Sequence, residues 1–94
     1  MKSNLSSESL VSAAPNRVSS SVEDEVVILD LDAGVYYGLN SVGAWVWDSI
    51  QEPRRVADLQ REVLERFDVE RTRAERELME LLHELARAGL IEVA

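Results

Sequence analysis

Val35-Tyr36-Tyr37-Gly38-Leu39-Asn40-Ser41-Val42-Gly43-Ala44-Trp45-Val46-Trp47 changes its hydrophobic period at its centre. Up to Leu39 it is β-branched and aromatic, which suits a short strand on a pleated, half-buried surface. From Val42 the apolar residues return at helical spacing, through Trp45, Val46 and Ile50, with Trp47 on a neighbouring stripe. Asn40 or Ser41 stands where a side chain accepts an orphan amide of the new helix. The segment holds four of the five aromatic residues of the chain. Trp45, Trp47 and Gly43 read as core, and Val35–Leu39 as a strand.

Working outward, two further strands precede this one. Val18, Ser20 and Val22 alternate with polar residues, so 17–22 reads as a half-buried strand. Glu23-Asp24-Glu25 makes a charged turn. Val26-Val27-Ile28-Leu29-Asp30-Leu31 is almost continuously apolar, as a central strand covered on much of both faces would be. Asp32-Ala33-Gly34 then forms a hairpin loop. The simplest topology is an antiparallel meander with Val35–Leu39 at one edge. Residues 1–14 are serine-rich and end at Pro15, which predicts a disordered tail before a single domain over 15–94.

Three helices follow, giving an α+β domain. The first runs from about Val42 to Ile50 and stops before Pro53. The second covers about Val56–Phe67, where Val56, Leu59, Val63 and Phe67 share a face. Thr72-Arg73-Ala74-Glu75 matches a capping box and opens a third helix over 72–88, ending at Gly89. Leu78, Leu81, Leu82 and Leu85 make its core stripe. Glu75, Met79, Leu82 and Ala86 form a second line, either packed more deeply or bordering a groove. Leu90-Ile91-Glu92-Val93 is a short extended tail able to cover the core.

Composition narrows the function classes. The 94 residues carry a net charge of −8, which opposes binding to a phosphate backbone and so excludes nucleic acid as the expected partner. The chain has no cysteine, so it has no disulfide or thiolate metal site, and a reducing cytoplasm is the natural compartment. It contains no apolar run approaching the roughly 20 residues that span a bilayer, and no signal-peptide pattern at its start.

Catalytic patterns are lacking as well. His83 is the one histidine and has neither a metal-sharing partner nor a nucleophile to activate. Asp30 and Asp32, two apart on a strand, share a face, but two carboxylates make a poor cation site. Gly34, Gly38 and Gly43 have no phosphate-binding spacing. These readings predict a protein that is not an enzyme, with no metal and no cofactor. Val35–Leu39 points elsewhere. An edge strand is normally blunted by charge or proline, and this one has neither. It suits β-augmentation by an extended peptide, unless the N-terminal tail or a second copy covers it.

Tyr36-Tyr37-Gly38-Leu39-Asn40, Val42-Gly43-Ala44, Trp47, Leu85 and Gly89-Leu90-Ile91 together resemble the PqqD-like family over about residues 16–93. These are recognition elements of ribosomally made, post-translationally modified peptides (RiPPs). The resemblance implies a winged helix-turn-helix, with a three-stranded antiparallel sheet followed by a three-helix bundle. It also implies a peptide chaperone that takes the precursor's leader as an extra strand. The leader would lie along Val35, Tyr36, Tyr37, Gly38 and Leu39, facing Glu75, Leu78, Met79, Leu82 and His83 on the third helix. Stand-alone members of this kind serve lasso-peptide biosynthesis, whose leaders carry a Tyr-x-x-Pro segment. A monomer, a separate leader peptidase and a macrocyclase are implied with it. Members serving pyrroloquinoline quinone synthesis have Cys-Asp-Gly after the first helix, where this chain has Gln51-Glu52-Pro53. The quinone pathway, another RiPP pathway and a DNA-binding winged helix are the alternatives.

Overall fold

The computed structural model describes residues 5–15, 17–23 and 25–94. In chain order the elements are β1 (Leu10–Ala13), β2 (Arg17–Val22), β3 (Glu25–Asp30), β4 (Val35–Leu39), α1 (Ser41–Ser49), β5 (Arg54–Arg55), α2 (Val56–Arg66), α3 (Arg71–Arg87) and β6 (Ile91–Val93). β2, β3 and β4 form the expected antiparallel meander, with β4 at one edge and β2 at the other. The α+β class holds, with antiparallel sheets and three helices among the described residues.

The expected order of one sheet followed by a helix bundle needs correction. A second sheet, β5-β1-β6, is assembled from both ends of the chain and from the link before α2. α1 packs on β3 and β4, while α2 packs against α3. The expected tail over residues 1–14 is also corrected for its described part, and Met1–Asn4 lie outside the described residues. Val11 of β1 is completely buried, and Leu5 packs against the same core. A tail reading missed this because β1 is short and its strength comes from partners distant in sequence.

The segment around β1 also completes the ends of the helices. No side chain caps α2 at Arg55. The carbonyl of Ser9 instead accepts from the amide of Val56 at 2.9 Å, and that of Ser7 from Ala57 at 2.8 Å. The amide of Ala13 donates to Ile50 O at 2.8 Å, just after α1, and that of Ala14 to Leu90 O at 3.0 Å, just after α3. Helix ends leave several backbone groups unpaired, and here one strand segment satisfies groups at or beside all three.

β3 alternates strictly, with Val26, Ile28 and Asp30 buried and Val27 and Leu29 exposed. It is therefore covered on one face, not on both. The inward face meets Leu39, Val46, Trp47, Ile50, Leu82 and Leu85 in one core cluster. Trp45, expected in the core, is half-buried and sits edge-on to Phe67 at 6.2 Å, with the Arg66 guanidinium over its ring.

Asp30 and Asp32 have a structural role. Asp30 Oδ1 accepts from the amides of Asp32 and Ala33 at 3.0 and 3.2 Å, which shapes the turn into β4. The Arg17 guanidinium lies 3.7 Å from Asp30 and 3.8 Å from Asp32, and donates to Gly89 O at 2.8 Å. Residues following a helix C-terminus favour such a cation. α3 ends in a Schellman motif: Gly89, at φ 76°, donates to Ala86 O, and Leu90 donates to Leu85 O.

Val11→Ala should cost about 2 kcal/mol of stability, in the range for deleting buried methyl groups. Urea unfolding followed by circular dichroism measures it, and a free tail would leave the midpoint unchanged.

Candidate functional site

The strand-to-helix junction positions the site. Asn40 caps α1, its Oδ1 accepting from the Gly43 amide at 3.0 Å. Of the two candidate caps, Asn40 is the one used. Gly43 is buried, and a Cβ there would lie 3.2 Å from Leu39 Cβ. A side chain at 43 would push α1 away from the end of β4, so the close approach depends on glycine.

Beside this junction lies a cavity of about 550 Å³ between the end of β4 and the N-terminal half of α3. Leu39, Val42, Val63, Val69, Leu78 and Leu81 give it an apolar floor, and Gly38, Asn40, Gly43 and Ala74 contribute small or backbone surface. Asp68, Glu70, Glu77 and Arg73 form a charged rim. Arg73 Nε donates to Glu77 Oε2 at 2.9 Å, so those two charges compensate each other and the remaining rim is acidic. Further along β4, Tyr37 reaches across to α3, its hydroxyl donating to Glu84 Oε1 at 3.1 Å.

α3 starts earlier than the capping box predicts. Its cap is Glu70, whose carboxylate accepts from the amides of Arg73 at 2.9 Å and Thr72 at 3.3 Å. The backbone bond to Arg73, joined by that to Thr72, holds Glu70 below the usual carboxylate range. Its contribution is therefore present at neutral pH and lost as pH falls through that lowered value.

The expected binding residues do not all come together. Gly38, Leu39 and Leu78 line the cavity. Val35 and Tyr36 stand open on β4, 57% and 75% exposed. Tyr37 is half-buried under its bond to Glu84. Leu82 is completely buried and offers no surface to a ligand. Glu75, Met79 and His83 are half-buried and do not line the cavity, and Met79 packs on the core. The face of α3 turned to the cavity is Arg73, Ala74, Glu77, Leu78 and Leu81. That is one residue, about 100°, round the helix from the expected line. Leu81 was legible as apolar, but its side of the helix was not.

β4 pairs with β3 on one side only, and no described residue pairs with its other side. An open strand edge beside an apolar cavity is the arrangement a strand-accepting domain needs. Residues 25–91 match the family model described as coenzyme PQQ synthesis protein D, and the chain belongs to this PqqD family. A comparison with curated protein sequences gave no match. Among solved structures, the chain resembles TbiB1 in complex with the TbiA(beta) leader peptide, with a TM-score of 0.78 and 33% identity over 86% of this chain and 94% of that one. It also resembles a lasso peptide synthetase B1 complexed with its leader peptide, with a TM-score of 0.75 and 26% identity over 87% of this chain and 96% of that one.

Burial, then the bond to Glu84, raise Tyr37 above the ordinary tyrosine value. A raised value favours the neutral phenol, so the β4–α3 bond contributes at neutral pH and is lost as pH rises through it. Tyr37→Phe should cost about 0.5–1.5 kcal/mol. In a titration followed at 295 nm the variant should lose the ionisation assigned to Tyr37. A curve identical to the wild type would show that this phenol does not titrate as described.

Proposed function

We propose that this chain is a non-catalytic recognition protein that binds the leader peptide of a ribosomally made precursor, most simply that of a lasso peptide. The leader adds as a strand on β4, along Val35–Leu39, and packs toward α3. The observation that carries this reading is the open, uncharged edge of β4 running into an apolar cavity. The likeness to two B1 proteins holding leader peptides supports it. Backbone hydrogen bonds from β4 supply affinity and register, and the cavity supplies selectivity.

The cavity lies at the Leu39 end of β4. An antiparallel guest therefore has its N-terminal part over the cavity and leaves past Val35 on its C-terminal side. The volume accepts an aromatic anchor together with a second apolar residue such as proline. The acidic rim favours a basic residue beside them. A separate leader peptidase and macrocyclase act on the peptide so presented. In this reading the protein is a cytoplasmic monomer whose winged helix-turn-helix frame holds a peptide strand. No phosphate-binding surface accompanies that frame, and the net charge of −8 opposes the DNA-binding alternative.

Fluorescence anisotropy with labelled TbiA(beta) leader peptide tests the reading. Saturable binding is expected. Leu81→Ala should weaken it about tenfold, as loss of an anchor contact does. Met79→Ala, off the cavity, should leave it within about twofold. The reverse ranking would return the binding face to the line of Glu75 and Met79.

A further inference from the structure

The face of the β2–β3–β4 sheet turned away from the core is apolar where a solvated antiparallel face is normally polar. Val18, Leu29 and Tyr36 stand in register across the three strands and are 51%, 39% and 75% exposed. Val27, one pair further along, and Leu31, just past β3, are exposed as well. The apolar row thus crosses the sheet from edge to edge. Contiguous exposed apolar surface of this kind marks an interaction site.

The row ends at Tyr36, on the open edge of β4. A strand added there sets its own outward side chains next in the same row, so a bound peptide and the domain share one continuous surface. We propose that this outer face is the docking surface for the enzyme that acts on the bound peptide. The proposal rests on the reading of β4 as the leader-binding edge. The partner presents an apolar patch with lysine or arginine at its rim, matching Glu23, Glu25 and Asp32 around the row and the net charge of −8.

Size argues against a second copy as the occupant. Five residues on each of three strands cover roughly 250 Å², and a fourth strand adds roughly a third more. A stable dimer needs about 800 Å² from each partner. The face suits a contact that forms while the peptide is held and ends after transfer.

The test uses the full chain with Leu29→Glu and Val18→Glu, both away from the β4 edge. Each variant is assayed for affinity toward the fluorescent cognate leader, and for its stimulation of precursor cleavage by the leader peptidase of the same pathway. The wild type and both variants are also sedimented alone. Leader affinity should stay within about twofold, and stimulation of cleavage should fall at least about tenfold. If a glutamate variant loses its circular dichroism signal, Leu29→Thr and Val18→Thr carry the same comparison. Unchanged cleavage in both positions overturns the proposal. A wild-type dimer dissolved by Leu29→Glu also overturns it, by giving the face to a second copy. Failure of the wild type to bind leader at all removes the β4 reading and this proposal with it.

Discussion

One stretch of backbone, Ser7–Ala14, supplies hydrogen bonds to the ends of all three helices and the middle strand of the second sheet. Helix termini carry amides and carbonyls that must be paired once they are buried. In a 94-residue domain few elements are available to pair them. The chain meets the need by folding its first described segment under the core, where Val11 is fully enclosed. α2 illustrates the dependence, since it starts at Val56 without a side-chain cap and takes its acceptors from Ser7 and Ser9.

That commitment has a functional side. Leu10–Ala13 is held between β5 and β6, so it does not cover the edge of β4. The open edge, the cavity beside it and the Tyr37–Glu84 bond then lie along one cleft between β4 and α3. Gly43 sets how closely α1 approaches the end of β4, and so fixes one wall of the cavity. At the other end of β4, Asp30 shapes the turn, and Arg17 ties Asp30 to the residue that terminates α3. Both ends of the cleft are thereby fixed by local polar contacts, while its floor remains apolar.

Much of the meander and the helices was legible from residue periodicity. The β4-to-α1 junction was clearest, because its period changes from strand to helix within a few residues around an asparagine. The second sheet was not legible. β1 and β5 are too short to show a pattern, and their pairing is a long-range property. β3 was misread as covered on both faces because Val27 and Leu29 are apolar and yet exposed. The helical side of the site was displaced by one residue. α3 is apolar over a broad arc, and only packing shows that Leu82 is enclosed while Leu81 borders the cavity. The cap of α3 was missed for a related reason: Glu70 reaches the same amides that the Thr72 pattern advertises two residues later.

The pairing of β1 with β6 has a consequence for how the domain can be joined to other proteins. Leu10 and Ala94 exchange backbone hydrogen bonds at 3.1 and 2.8 Å, so the two ends of the folded unit emerge side by side. They belong to a different sheet from β4. A unit whose ends meet can be spliced into a surface loop of a host protein without stretching the host chain. Such an insertion leaves the β4 cleft outside the splice, so the domain has the geometry of a portable cassette as well as of a free-standing protein.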